Sequence, residues 1–400
     1  MVRFIARHPW MHSPRFLLGV YIALALILSA YQFFLRPDSI KNLVIFRNSF
    51  DHLLNNDNLY LPYEEKQFDV FRYSPTFALF MAPLRALPLG AAVVAWNLCN
   101  ALALFLAARK LPIKPAAAAG VLLFVIPQLS TSMQNNQSNG LMAGLMIGTL
   151  AAFECRRPIL AAMLASFGFF IKIYGAAVGM LFLCFKGKAR FIIGGLACVA
   201  ALWSAPAAIT GFGPLITHYQ QWREQVQEGG PRLMKYSVMT VTEKWTGVVL
   251  PDWYFILPGL LLLLLPLRRV RHYANRRFRI MFAAYITVFV VVFNPMAESP
   301  TYIIAMAGAA VWGLVEPRSW LRSIVLLSVF FITGLSHSDL CPSYIRHEIV
   351  AKYGLKAVPC IAAWLIMAWR LNLGDPDRFS TIDLLDGPTA SGTPSAVPRA

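Results

Sequence analysis

Long apolar runs alternate with short basic or polar stretches along almost the whole chain. The uninterrupted runs cover residues 16–35, 88–108, 115–131, 139–153, 190–209, 253–267, 280–293, 301–315, 320–335 and 356–371. A helix needs about 20 apolar residues to cross a bilayer. A further run, 158–185, has Lys172 near its middle, where a charge is costly in one long span. The pattern therefore predicts two short helices that turn at 171–174, and about twelve spans in all.

Composition places the chain in the class of polytopic membrane proteins. Apolar types make up 58% of the residues and charged types 14%, against roughly 45–50% and 25% in a soluble domain. A soluble enzyme, a disordered protein and a disulfide-rich secreted domain are excluded. The six cysteines form no CxxC pair, so neither a zinc site nor a disulfide framework is indicated. The predicted fold is all-α.

The net charge of +17 comes from Lys and Arg clusters between the apolar runs. That pattern is typical of the positive-inside rule, so nucleic acid is not expected as a partner. Twelve spans place the arginine-rich segment 268–279 inside, whereas one span over 158–185 would place it outside. We therefore expect a cell (inner) membrane protein with both termini cytoplasmic, and outer loops at 36–87 and 210–251. Residues 372–400 are rich in Pro, Ser, Gly and Asp and predict a disordered cytoplasmic tail.

The first outer loop combines charge with a helical pattern. Apolar residues recur at helical spacing over 40–54, which predicts an amphipathic helix. A second apolar stretch, 73–87, contains Pro75, Pro83 and Arg85. It predicts a helical segment that lies along the membrane interface.

The informative polar residues all fall on the predicted outer side. They include the amide-rich turn 130–139 (STSMQNNQSN), Lys172, Glu298 and His337. Amides and carboxylates bind sugar hydroxyls, a cation pairs with a lipid phosphate, and a carboxylate serves as a general base. No P-loop, GxGxxG after a strand or HExxH is present. No cofactor is expected, and a divalent cation is possible but not indicated.

Several short motifs resemble glycosyltransferase family 87, the polyprenol-phosphate-mannose-dependent mannosyltransferases of the GT-C type. They are Phe46–Phe50 (FRNSF), Phe71–Pro75 (FRYSP), Gln134–Asn139 (QNNQSN), the Lys172 turn and Glu298–Tyr302 (ESPTY). The resemblance covers roughly residues 15–340. It implies one GT-C-like domain over 1–371, a bundle with a helical first outer loop. It also implies an inverting enzyme that moves a hexose, mannose being expected, from a polyprenyl-phosphate donor to a lipid or glycan acceptor at the outer face.

The chain departs from the family pattern at the catalytic position. The pattern places an aspartate about five residues before Arg47, where this chain has Asn42, and an amide is no general base. The candidate bases are Asp57, Asp69 and Glu298, with Asp38 and Asp51 as further carboxylates in the loop. Each of the three could instead have a structural role, Asp57 in a turn and Asp69 or Glu298 as a helix cap.

The candidate substrate-binding residues combine amides, cations and aromatic or imidazole side chains. They are Asn42, Arg47, Arg72, Tyr73, Gln134, Asn135, Gln137, Asn139, Lys172, Tyr302 and His337. Membrane lipids are expected partners, and no metal ligands are assigned. Two alternatives stay open, a secondary transporter and a catalytically inactive GT-C relative.

Overall fold

The structure, a computed structural model, describes residues 2–63, 69–228, 235–338 and 341–374 and contains helices and no strand within them. The predicted tail lies outside these residues from position 375 onward. The α-helices are α1 Val2–Arg7, α2 Pro14–Phe34, α3 Lys41–Leu54, α4 Pro75–Phe80, α5 Ala82–Ala86, α6 Leu89–Lys110, α7 Pro115–Gln134, α8 Asn139–Glu154, α9 Pro158–Ile171, α10 Lys188–Ser204, α11 Ala207–Thr210, α12 Phe212–Glu228, α13 Val238–Thr246, α14 Trp253–Leu264, α15 Arg276–Val292, α16 Tyr302–Val315, α17 Trp320–Ser328 and α18 Val358–Leu373. The 3₁₀ helices are Pro9–His12, Pro37–Ile40, Ile173–Cys184, Leu265–Arg268, Val270–His272 and Ser299–Thr301, and the π-helices are Val329–Leu335 and Ile345–Ala351.

Among the described residues, four helical segments are long and apolar enough to cross a membrane. They are Pro14–Phe34, Leu89–Lys110, Pro115–Gln134 and Lys188–Thr210, and six shorter apolar helices accompany them. This is the pattern of a multi-pass membrane protein. The total of twelve spans stays a prediction, because several of the helices are shorter than a full crossing.

The run 158–185 divides as predicted. Helix α9 ends at Ile171, Lys172 is extended (φ −144°, ψ 125°), and a 3₁₀ helix begins at Ile173. The two halves approach closely at a pair of glycines, because a Cβ on Gly175 would lie 2.5 Å from the carbonyl oxygen of Gly168. Glycine removes that clash, and the hairpin holds Lys172 at its tip.

Local signals fix where the helices begin. Proline occupies the first position of several of them, where its missing N–H costs nothing; examples are Pro14, Pro75, Pro115 and Pro158. The predicted helix over 40–54 is confirmed as α3. The stretch 73–87 is helical in two pieces, since α4 ends at Phe80 and α5 begins at Ala82, one residue before Pro83.

Helix α16 lies at the centre of the bundle. All 14 of its residues are buried, as expected for a helix that is apolar on every side. It packs against α7, α8, α15 and α18. Because it begins just after Glu298 and ends just before Glu316, this helix connects two groups of charged residues at opposite ends of the bundle.

We name these ends by their residues. The amide end comprises the α7–α8 turn (135–138), Lys172 and Glu298, which contact one another through the side chains described below. The arginine end comprises Glu154, Arg276, Arg279, Glu316 and Arg370, which are joined by ion pairs.

Candidate active site at the amide end

Hydrogen bonds from buried polar side chains fix the backbone of the α7–α8 turn. Gln32 donates from Nε2 to the carbonyl oxygens of Met133 and Gln134, each at 3.0 Å, and Trp96 donates to the carbonyl of Asn136 at 2.9 Å. Asn136 itself has φ of 46°, a left-handed conformation that asparagine tolerates better than most residues. The turn is therefore a fixed platform for the side chains that follow it.

Glu298 receives donors from two distant parts of the chain. Lys235 Nζ lies 2.5 Å from Glu298 Oε1, and Gln137 Nε2 lies 3.5 Å from Oε2. The side chain of Lys235 is 8% exposed and that of Glu298 is 41% exposed. The lysine is thus enclosed by protein, while the carboxylate remains open to a ligand.

Lys172 brings a second ammonium group to the same place. Its Nζ donates to Asn139 Oδ1 at 2.7 Å and lies 5.6 Å from the centre of the Tyr73 ring. Burial lowers the pKa of Lys172 to about 8; the charge of Glu298 opposes this shift and that of Lys235 adds to it. One carboxylate and two ammonium groups therefore interact at this end of the bundle.

Two tyrosines complete the cluster. Tyr73 donates to Gln137 Oε1 at 3.4 Å and accepts from Ser138 Oγ at 3.3 Å. Burial raises the pKa of Tyr73 well above its usual range, so the phenol stays neutral. The hydroxyl of Tyr174 is buried and has no hydrogen-bond partner among the described residues, which leaves one donor for a bound molecule.

A second group of side chains lies beside this cluster. Tyr236 hydrogen-bonds to His337 Nε2 at 2.6 Å, and its own carbonyl accepts from the hydroxyl of Tyr302 at 2.9 Å. Burial, together with the charges of Lys356, Arg346, His347 and Lys244, lowers the pKa of His337 to about 3. The imidazole is therefore neutral at physiological pH. Tyr302 is buried, and its hydrogen bond fixes the backbone at Tyr236.

The other two candidate bases lie apart from Glu298. Asp57 Oδ2 is 3.5 Å from His52 Nδ1, and Asp69 Oδ1 is 3.4 Å from Arg72. Their side chains are 48% and 49% exposed. Neither contact links them to the Glu298 cluster.

Several predicted binding residues make structural contacts. Arg47 donates to the carbonyl oxygens of Arg85 and Leu87, and Asn135 donates to the carbonyl of Thr131 at the end of α7. The backbone carbonyl of Gln134 accepts the hydrogen bond from Gln32 described above. Asn42 donates from Nδ2 to the carbonyl of Asn135 at 2.7 Å, so it supports the turn from the first loop.

The sequence did not reveal Lys235 as a site residue. It stands 63 positions before Glu298, in a long loop with many other charges, and no spacing relates the two. Within the described residues, no group of three or more His, Cys, Asp or Glu side chains has the arrangement of a metal site.

The fold and the amide end together define a multi-pass membrane protein with a charged, amide-lined site at one end of its bundle. The family model for glycosyltransferase family 87 matches residues 71–296, more than half of the chain. The chain belongs to glycosyltransferase family 87.

Comparison with curated proteins gave no match. Two solved structures are similar in shape. The crystal structure of ArnT from Cupriavidus metallidurans in the apo state is 15% identical with a TM-score of 0.42, and the match covers 89% of this chain and 77% of ArnT. The same protein bound to undecaprenyl phosphate is 14% identical with a TM-score of 0.36, with the same coverage.

Proposed function

We propose that this glycosyltransferase moves a hexose, mannose in the first instance, from a polyprenyl-phosphate sugar to a lipid or glycan acceptor at the amide end. The observation that carries the proposal is the meeting of Glu298, Lys172 and Lys235 at one partly open site. These groups supply the two functions that the reaction needs, a cationic site for a phosphate and a carboxylate for a proton.

The two lysines are the proposed ligands of the donor phosphate. Both are largely enclosed by protein, where a charge is costly unless a partner offsets it. Glu298 offsets part of this cost, and a phosphodiester would add the remaining negative charge. Charge-assisted bonds from ammonium groups to phosphate oxygens would also stabilise the phosphate as it leaves.

Glu298 is the proposed general base. Lys235 holds Oε1, so Oε2 is the atom that remains for an acceptor hydroxyl, beside the amide of Gln137. The hydroxyl oxygen forms the new bond to the anomeric carbon, the bond from that carbon to the phosphate oxygen breaks, and the hydroxyl proton passes to Oε2. Attack opposite the leaving phosphate inverts the anomeric centre.

The position of Asn42 fits this assignment. Its amide donates to a backbone carbonyl of the α7–α8 turn, and an ionised aspartate at that place has no proton to donate. Asn42 therefore supports the proposed site, and we assign the base to Glu298. Gln137 and Asn139 are the proposed sugar ligands.

The test uses the purified protein in detergent with radiolabelled polyprenyl-phosphate mannose and, separately, the glucose donor, with an acceptor-lipid extract. We expect Glu298→Gln to lower transfer about 10²–10⁴-fold, the range of general-base catalysis, with donor binding retained. Glu224→Gln, an exposed carboxylate on α12, is the matched control. Full transfer by Glu298→Gln would show that Glu298 is not the base. A wild-type protein that binds the donor without turnover would favour the alternative that this chain is a catalytically inactive GT-C relative.

The orientation follows from the positive-inside rule, which assigns the arginine end to the cytoplasm. Two native cysteines report on it, since Cys155 is exposed at the end of α8 and the partly exposed Cys341 follows His337 by four positions in the sequence. In single-cysteine variants, a membrane-impermeant maleimide should label Cys341 in intact cells and Cys155 only after permeabilisation. The opposite pattern would invert the topology.

A further inference from the structure

A cavity of about 650 Å³ opens at the arginine end, between α1, α7, α16, α17 and the π-helix Val329–Leu335. Most of its lining is apolar. The larger contributors are Val121, Phe124, Leu314, Leu326, Phe330 and Phe331. Its volume lies within the range of small-molecule binding sites.

Three arginines, Arg3, Arg318 and Arg322, belong to the same lining. Arg3 and Arg318 are near enough for the charge of Arg3 to lower the pKa of Arg318, in addition to the effect of burial. A cluster of like charges at one cavity is unfavourable without a counter-charge.

The protein supplies only part of that counter-charge, because Glu316 is near enough to attract Arg322 but is shared with other donors. Among the described residues, Arg3 and Arg318 have no carboxylate within ion-pair distance. The nearest acid in sequence, Glu316, is buried and occupied, because it accepts from Arg370 at 2.9 Å and from Trp312 at 3.2 Å. Arg322 donates to the carbonyl of Gly313, and its Nε is buried without a partner in the described part of the chain. The cavity therefore combines an apolar interior with an excess of positive charge.

We propose that this cavity binds an anionic membrane phospholipid, with an acyl chain inside it and the phosphate against Arg318 and Arg322. The guanidinium group binds phosphate through paired hydrogen bonds, and basic pockets between membrane helices are suited to anionic headgroups. A water-soluble anion would leave the apolar interior empty, whereas an acyl chain fills it.

This binding site is separate from the proposed catalytic one. Helix α16 has Glu298 before its first residue and Gly313 and Leu314 of the cavity near its last, and it contains 14 residues. At 1.5 Å per residue the two sites are about 20 Å apart along the helix axis. The lipid is therefore a structural ligand and no part of the transfer reaction.

The test measures phosphatidylglycerol binding to the delipidated full-length protein by native mass spectrometry, with phosphatidylcholine of the same acyl chains as the reference. We expect phosphatidylglycerol to bind more tightly and to raise the unfolding temperature. Arg318→Gln with Arg322→Gln should weaken binding about tenfold or more, given roughly 1 kcal/mol for each basic residue at an anionic lipid surface. The control pair is Arg268→Gln with Arg271→Gln, two exposed arginines outside the cavity.

A second variant tests the cavity without changing its charge. Ser323 lines the cavity and is exposed, so Ser323→Phe should block the acyl chain and abolish the preference for phosphatidylglycerol. Equal binding of the two lipids, or unchanged binding by both the arginine pair and Ser323→Phe, would overturn the proposal. Displacement of phosphatidylglycerol by equimolar undecaprenyl phosphate would do so as well, because the cavity would then hold a different lipid.

Discussion

The two ends of the bundle both join carboxylates to cations, but they bury them differently. At the arginine end, Glu154 is 3% exposed and accepts from Arg279 through both oxygens, each at 2.9 Å, with Arg276 Nε at 3.4 Å. At the amide end, Glu298 has one short contact, to Lys235, and remains 41% exposed. The first arrangement is closed and fully paired, while the second leaves a carboxylate oxygen accessible.

This difference in burial separates the charges that stabilise the bundle from those that can contact a ligand. A buried carboxylate between two arginines matters to stability mainly because its removal would leave two partly buried cations without a counter-charge. Glu298 is only partly buried, so its loss should cost less, although it leaves the enclosed Lys235 without its carboxylate. The contribution of Glu298 should therefore appear in activity, and that of Glu154 in stability.

Glu154→Gln should give the largest loss of stability. Removal of its charge leaves Arg276 and Arg279 without their carboxylate, and loss of one partner of a buried pair costs about 3–5 kcal/mol. Thermal unfolding in detergent measures the effect, with Glu298→Gln as the counterpart that should lose clearly less stability. Equal destabilisation by the two variants would show that the two carboxylates contribute alike to stability.

Glu316→Gln should have a smaller effect of the same kind. Glu316 bonds to Arg370 and Trp312, but the Arg370 side chain is 27% exposed, against 13% for Arg279, and can turn toward solvent. We expect a loss of about 1.5–3 kcal/mol, the range for a hydrogen bond to a charged group. Unfolding should report this loss, while transfer per folded molecule should stay near wild type; a selective loss of transfer would contradict it.

The pH dependence of donor affinity tests Lys172 at the other end. Its pKa of about 8 in the folded protein lies below the ordinary 10.5, so Lys172 loses its charge as pH rises through 8. We expect the KM for the donor to rise about tenfold above that pH and in Lys172→Met, consistent with loss of a hydrogen bond to a charged group. Lys172→Arg keeps its charge at alkaline pH and should flatten the profile.

The lowered pKa of Lys172 also makes stability depend on pH, but stability should rise with pH where donor affinity falls. Between pH 8 and 10.5 the unfolded state binds more protons at this lysine than the folded state does, so unfolding free energy should rise with pH across that window. Lys172→Met should remove this part of the rise.

A KM for the donor that does not change with pH in the wild-type protein would show that Lys172 does not bind the donor phosphate.

Much of the fold was readable from the sequence because apolar runs and prolines act locally. Lys172 interrupts one long run, and its cost within a membrane already predicted the turn between two short helices. Gln137, Asn139 and Lys172 were expected on one side of the membrane; Lys172 contacts Asn139 directly, and Tyr73 contacts both Lys172 and Gln137. These inferences need only the alternation of helix directions.

The remaining contacts depend on packing that no local pattern encodes. Lys235 reaches Glu298 from a loop 63 residues away, and its neighbours in the sequence gave no sign of a partner. The cavity at the arginine end arises where five helical elements meet, so its residues form no motif. The arginines there were visible only as part of the general basic pattern.

Asp57→Asn and Asp69→Asn should have the smallest effects and provide the sharpest test of the site assignment. Both carboxylates are about half exposed and each has one long ion-pair contact, so each pair contributes less than about 1 kcal/mol to stability. If Glu298 is the base, both variants should keep transfer within about twofold of wild type, since neither ion pair reaches the Glu298 cluster in the described part of the chain. Loss of transfer in Asp57→Asn, with unfolding unchanged, would move the base into the first loop and leave Glu298 as the partner that positions Lys235.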